Sequence, residues 1–310
     1  MKFRANGKLM ISGEYLVLAG ARALAIPLKY GQTLTIAESN SSQQTVNWTT
    51  LAKGKEWLHI SFLGAALHPQ YPGVLAANKQ RAADFVHKLL LKAKELNPEF
   101  LEKEATYSII SEVDFDMSWG LGSSSSLIAN VARWSQVDPY RLLFAVSKGS
   151  GYDVACALND SPLLYRYLGQ RSKPEVELIT FDPVFAPQLF FVYSGQKQDS
   201  AEQIRKFDPT NIPQSDIETI TRLSEQMAES NDLNAFINMM QTHEEIISGH
   251  IGMNPVQQRF FDDFPGAVKS LGAWGGDFML AAAGITSVDI ISYFRNKDHN
   301  VIFPFGEMIL

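Results

Sequence analysis

The segment Trp119-Gly120-Leu121-Gly122-Ser123-Ser124-Ser125-Ser126, running directly into Leu127-Ile128-Ala129-Asn130-Val131, constrains this chain more than any other stretch. Glycines at 120 and 122 let the backbone turn sharply and approach a ligand with no Cβ in the way. Four hydroxyls follow where a helix begins, placed to cap its free N–H groups or to grip an oxyanion. Leu127, Ile128, Val131 and Trp134 then carry the apolar spacing of a helix seated in a core. A glycine loop feeding a helix N-terminus suits phosphate, because unpaired N–H groups and the positive dipole end converge there. The same residues also describe a plain Ser-capped helix after a tight turn, so the segment has to be weighed with others.

Three other segments join it. Asn6-Gly7-Lys8-Leu9-Met10-Ile11-Ser12-Gly13-Glu14-Tyr15 stands near the N-terminus, and Leu271-Gly272-Ala273-Trp274-Gly275-Gly276-Asp277-Phe278 near the C-terminus. Between them lies Lys148-Gly149-Ser150-Gly151-Tyr152-Asp153-Val154-Ala155-Cys156-Ala157. In order and content the four resemble the signature segments of the GHMP kinase superfamily, which holds galactokinase, homoserine kinase, mevalonate kinase and phosphomevalonate kinase. The run around Asp153 resembles a subgroup marked by Gly-Tyr-Asp-Ile/Val-Ala. The resemblance spans residues 6 to 280, essentially the whole chain.

Composition fits a cytoplasmic enzyme. The 310 residues suffice for two modest domains, each with its own core. Lys and Arg total 27 against 33 Asp and Glu, a formal charge of −6, so no basic field exists to hold nucleic acid or an anionic membrane. The single cysteine, Cys156, stands among Val154, Ala155 and Ala157, cannot form an internal disulfide, and reads as buried packing. Neither a signal-peptide layout nor an apolar run of membrane-spanning length is present.

Periodicity predicts strands over 8–11, 23–37, 45–49, 57–62 and 107–113, with a helix over 76–96. Asp138-Pro139 makes a cap-and-N1 pair for a further helix. Asp182-Pro183-Val184-Phe185-Ala186-Pro187 reads as a linker stiffened by two prolines. Beyond it come an apolar strand over 189–193 and two helices, one marked by Ile217, Ile220, Leu223 and Met227, the other by Leu233, Phe236, Met240 and Ile247. The fold class is α+β, divided as 1–182 and 183–310. The resemblance implies a GHMP kinase architecture. Its first, nucleotide-binding domain would be like the second domain of ribosomal protein S5, and its C-terminal domain ferredoxin-like.

The resemblance also implies roles. Gly120, Leu121, Gly122, Ser123, Ser124 and Ser125 would bind the phosphates of ATP, with the Ser124 hydroxyl facing Mg²⁺. Asp153 would orient or deprotonate the acceptor, and its place at a helix start also fits an ordinary N-terminal cap. Lys8, at a strand end beside Gly7, would set a cation near Asp153 and the moving phosphoryl group. Glu14 and Tyr15 match the Gly-Glu-Tyr of phosphomevalonate kinases rather than the Glu-His of mevalonate kinases, and Gly275, Gly276 and Asp277 match their Gly-Gly-Asp. Lys197 and Ser200, after the strand at 189–193, stand where that subfamily holds its acidic substrate.

Departures count as well. Ser125 replaces the usual alanine of the loop. Leu142, eleven residues before Asp153, stands where mevalonate kinases carry a metal-binding glutamate. Trp274 interrupts a motif of small residues and must wall the substrate pocket or close it. No Walker loop, no G-x-G-x-x-G and no H-x-x-x-H or H-E-x-x-H zinc pair occurs. His243 reads as a satisfied helix-edge histidine. The expected activity is ATP-dependent transfer of a phosphoryl group to mevalonate or, preferred, phosphomevalonate, in isoprenoid synthesis. The partner is then a small acidic molecule, and the protein a monomer or homodimer. A catalytically impaired ligand-binding relative, a diphosphomevalonate decarboxylase and a kinase of another small metabolite stay open at this point.

Overall fold

A computed structural model of the protein describes residues 1–170, 172–196, 203, 206–274 and 276–310. By packing, the chain falls into two compact units, each assembled from several segments. The first comprises Met1–Gly7, Tyr30–Met117 and Leu121–Lys148; the second comprises Lys8–Lys29, Ser118–Gly120 and Gly149–Leu310. Two strands, β1 (Lys2–Ser12) and β2 (Arg22–Asn40), run through both.

In the first unit the outer half of β2 pairs with β6 (Ala105–Val113), which pairs in parallel with β3 (Thr45–Ala52). The hairpin partner β4 (Lys55–Leu63) and the short β5 (His68–Gln70) complete that edge. Along β6 the buried residues alternate strictly with more exposed ones, the period-two signature of a sheet covered on one face. Helices α1 (Ala77–Leu96), α2 (Ser123–Ser135) and α3 (Pro139–Val146) pack on one another. In α1 the buried set Ala83, Val86, Leu89, Leu90 and Ala93 follows the helical period. The expected cap holds: Asp138 Oδ1 accepts the Arg141 N–H at 2.8 Å, with Pro139 at the first helical position.

In the second unit the inner half of β2 pairs with β7 (Leu163–Arg166), and β7 with β8 (Glu175–Leu178). Helix α4 (Tyr152–Leu158) packs on β7, its Cys156 a buried free thiol. A four-stranded antiparallel sheet follows, ordered β10–β11–β9–β12, from β9 (Leu189–Tyr193), β10 (Gly266–Ser270), β11 (Phe278–Ala283) and β12 (Ile302–Pro304). Helices α5 (Gln214–Glu229), α6 (Leu233–Ile251) and α7 (Val256–Phe260) lie between β9 and β10 in sequence, and α8 (Ser287–Arg295) between β11 and β12. That connectivity and strand order are the ferredoxin-like β-α-β-β-α-β pattern. The stretch read as a linker is packed instead. Phe181 and Phe185 are buried and meet the Phe236 ring at 6.3 and 5.1 Å, inside the second unit.

Candidate active site

Helix α2 starts behind Gly122, whose φ of +94° lies in the left-handed region and which has no side chain to cap the first turn. The hydroxyls do not supply the expected cap. Ser125 Oγ donates to the Gly122 carbonyl at 2.8 Å, and Ser126 Oγ donates to Gln32 Oε1 at 2.7 Å. Gln32 in turn reaches Ser111 Oγ at 2.6 Å, and its carbonyl accepts from Asn130 at 2.9 Å, so buried polar bonds fix α2 to β2 and β6. Ser124 is exposed and Ser123 half-buried. The amides opening the helix lack intrahelical acceptors, as at any helix start. Ser123 and Ser124 are the accessible hydroxyls of this loop. Leu121 is buried, and Leu142 is fully buried in α3.

In the second unit three of the sequence segments and the first glycine of the serine loop meet. Lys8 Nζ donates to the Gly120 carbonyl at 3.0 Å and stands 5.7 Å from the centre of the Tyr152 ring. Gly120 has φ +68°, and a Cβ added there would collide with the Asp277 carboxylate, so this position tolerates glycine alone. Asp277, itself at φ +56°, is buried and fixed through its backbone: its N–H donates to the Gln196 carbonyl at 2.7 Å and its carbonyl accepts from Ser194 at 2.8 Å. Burial disfavours the Lys8 ammonium, but Tyr152, Asp277 and Asp153 together outweigh it and hold its pKa above the ordinary lysine value. Lys8 is therefore a fixed cation and not a base.

Asp153 lies in the first turn of α4, behind Gly151 at φ +96°, and its Oδ1 accepts the Val154 N–H at 3.0 Å. Burial raises its pKa, and Lys8 and the Val154 amide only partly offset that. A carboxylate kept from full solvation beside a fixed cation is the arrangement a general base needs. Tyr152, passed over in the sequence, shares this corner; burial pushes its phenol up to about 12, so it stays protonated.

Glu14 and Tyr15 lie in a buried part of the second unit. Glu14 is buried, its Oε1 2.5 Å from Lys269 Nζ and its Oε2 3.1 Å from His243 Nε2. Lys269 also donates to the Ser270 carbonyl at 2.9 Å and has Glu244 Oε1 at 3.9 Å. His243 Nε2 is 2.9 Å from the Gly13 nitrogen, so it serves Gly13 as acceptor or Glu14 as donor, one at a time. Tyr15 donates to the Ala273 carbonyl at 2.8 Å, and burial, with the charge of Glu14, pushes its phenol up to about 12. Trp274 is buried at φ +51° in an apolar cluster with Tyr15, Leu16, Ile220, Leu223 and Ile247. His243 is fully buried rather than at a helix edge. Gly276 is buried in the turn before Asp277, while Gly275, Lys197 and Ser200 lie outside the described residues.

Lys269 and Glu244 escaped the sequence reading, although a lysine inside the apolar strand Ala267-Val268-Lys269-Ser270 is a usable signal. Their burial sets a pH dependence. Burial, with the charge of Glu14 and against the pull of Lys269, pushes Glu244 from 4.5 up to about 8. Burial and Lys269, against Glu14, push His243 from 6.5 down to about 4. The folded chain keeps the Glu244 proton that the unfolded chain loses, so stability falls as pH rises from 4.5 towards 8. The unfolded chain binds the His243 proton that the folded chain refuses, so stability rises between about 4 and 6.5. The two oppose each other below pH 6.5, and Glu244 acts alone above it. Denaturant unfolding should show stability dropping by roughly 2 kcal/mol from pH 6.5 to 8, and Glu244→Gln should flatten that drop. An undiminished drop in the variant places the titration elsewhere.

Among the described residues no group of three His, Cys, Asp or Glu side chains gathers to hold a metal ion. No described helix is long and apolar enough to cross a membrane.

No family model and no curated protein matches the chain by sequence. Solved structures do. Streptococcus pneumoniae phosphomevalonate kinase, in complex with phosphomevalonate and AMPPNP, superposes with TM-score 0.69 at 15% identity, over 98% of this chain and 99% of that one. Methanococcus jannaschii mevalonate kinase gives TM-score 0.66 at 16% identity, over 98% and 96%. A D-glycero-D-manno-heptose 1-phosphate kinase from Bacteroides thetaiotaomicron gives TM-score 0.65 at 12% identity, over 99% and 95%. At such identities the likeness establishes the fold, over the whole chain.

Proposed function

We propose that this chain, which has the GHMP kinase fold, is a cytoplasmic ATP-dependent small-molecule kinase. Its acceptor in this reading is mevalonate or, preferred, phosphomevalonate. One observation carries the reading: Gly120, Asp153 and Asp277, drawn from three distant sequence segments, converge on the half-buried Lys8 ammonium from a fourth. Phosphoryl transfer asks a protein chiefly to position two oxygens in line and to neutralise charge on the moving group. Asp153 takes up the acceptor's hydroxyl proton or orients that hydroxyl. Lys8 supplies the cation for the transferred phosphoryl group, and its raised pKa keeps it charged throughout the working range.

Ser123, three residues after Gly120 in the chain, opens α2 and its free N–H groups. In this reading they take the nucleotide phosphates, within a nucleotide-binding domain of residues 1–182 followed by a C-terminal domain of 183–310. The Ser124 hydroxyl would face Mg²⁺ together with the substrate phosphates, while Leu142 withholds the carboxylate that such sites usually add. When bound, the ion neutralises phosphate charge.

A coupled assay with ATP and Mg²⁺ across mevalonate, its phosphates, homoserine and neutral sugars tests the proposal. Turnover with no acceptor overturns the kinase reading in favour of a ligand-binding relative, and release of carbon dioxide points to a decarboxylase. Lys197→Ala tests the acceptor's charge. If Lys197 faces a phosphorylated acid, the acceptor KM rises steeply and loses salt sensitivity, while the KM for ATP stays near wild type. Lost ATP affinity in that variant, or activity confined to neutral sugars, sinks the phosphomevalonate assignment and leaves the kinase one standing.

A further inference from the structure

We infer that the buried Lys269–Glu14 ion pair is a positioning device for the proposed phosphoryl transfer, locking the turn after β1 to the loop that ends in Asp277. The inference rests on the kinase reading above. Four ionisable side chains, Glu14, His243, Glu244 and Lys269, meet from three parts of the second unit, and each is at most 3% exposed. Such clusters are poor stabilisers: replacing a buried ion pair with apolar side chains is often neutral or favourable. Its value is better sought in the geometry it imposes.

That geometry joins two contorted loops. In the turn after β1, Gly13 and Tyr15 adopt φ of +94° and +61°. In the loop after β10, Gly272, Trp274 and Asp277 adopt φ of +69°, +51° and +56°. Left-handed conformations at non-glycine residues persist only where the surroundings over-determine them. Here the determinants are visible. Lys269 Nζ donates to Glu14 Oε1 at 2.5 Å and to the Ser270 carbonyl at 2.9 Å, so one ammonium ties the turn after β1 to the end of β10, where the second loop begins. Tyr15 donates across to the Ala273 carbonyl at 2.8 Å, and Trp274 shares an apolar cluster with the Tyr15 ring. His243 holds the near side of the turn through the Gly13 N–H at 2.9 Å. At the far end of the second loop the Asp277 carboxylate lies against Gly120, whose carbonyl receives Lys8. A loosened Lys269 therefore shifts Asp277, and with it the seat of the Lys8 ammonium.

Removing one partner alone strands a charge, so the test replaces both: Lys269→Met with Glu14→Gln. The double variant should melt near wild type and bind the ATP analogue AMPPNP with unchanged Kd, yet lose on the order of 10-fold in kcat through misplacement of the reacting groups. The Asp277 amide, which donates to the Gln196 carbonyl, should exchange faster with deuterium. A double variant with wild-type kcat and wild-type Asp277 exchange overturns the inference. Should the double variant fail to fold, Glu14→Asp keeps the charge but shortens its reach to Lys269, and wild-type kcat with wild-type Asp277 exchange there overturns it equally. Wild-type protein that transfers no phosphoryl group removes the kinase reading itself; a variant that differs from an active wild type bears on the clamp alone.

Discussion

Asp153→Asn should fold at least as firmly as wild type while its turnover falls by roughly 10²–10⁴-fold, the usual contribution of a positioned general base. Both halves follow from one local conflict. The carboxylate sits in the first turn of α4, where burial lifts its pKa against the pull of Lys8 and the Val154 amide. A net rise means that the folded chain holds the charged form at a cost relative to the unfolded chain. Asparagine keeps the shape and an oxygen for the Val154 N–H, bonded at 3.0 Å in the wild type, and carries no charge to desolvate. Melting temperature should therefore hold or rise, as expected where function opposes stability. AMPPNP binding should be unaffected. Measured by single-turnover kinetics and thermal denaturation, full activity in the variant removes Asp153 from the chemistry.

The parts of the fold that obey local rules were legible beforehand. Asp138-Pro139 opened α3 as a cap and first helical residue must, and the periodic apolar residues of α1, α5 and α6 mark helices that formed. The positive φ of Gly120 is the sharp turn its glycine allows, and the Asp277 carboxylate occupies the space a Cβ would need. What escaped was long-range pairing of polar groups. Glu14 and Lys269 are separated by 255 positions, and no local pattern couples them. Charged residues default to the surface in any sequence reading, which hides Lys269, while Glu14 draws its substrate role from the Gly-Glu-Tyr resemblance alone. The serines erred in the opposite sense. Their run announced a cap, but Ser125 and Ser126 turn to a carbonyl and to Gln32, because buried hydroxyls must find partners once α2 is seated. Trp274 obeys the same logic of burial, its indole taken out of water beside Tyr15, Leu16 and Ile247.

Lys8→Met carries the second large effect, because it removes the cation on which Tyr152, Asp277 and Asp153 act in that corner. The kcat should fall by about 10²–10³-fold, the range seen when one preorganised electrostatic contact is deleted from a transition state. Charge loss is only part of it. Lys8 is the leading influence that lowers the Asp153 pKa, so its removal leaves burial unopposed on that side and lifts the carboxyl further. The acid limb of the kcat profile, where Asp153 must lose its proton to act, should therefore move to higher pH in the variant. Raising the pH should then recover part of the lost rate, which a purely structural defect would not allow. Lys8→Arg should not substitute. The wild-type ammonium meets a single carbonyl at 3.0 Å above a phenol ring, a seat for a compact point charge, whereas guanidinium is a planar fork with five donors. The decisive measurement is kcat against pH for wild type, Lys8→Met and Lys8→Arg. An acid limb that stays in place, or a kcat for Lys8→Met near wild type, separates Lys8 from the chemistry and leaves its contact with Gly120 as a structural tie.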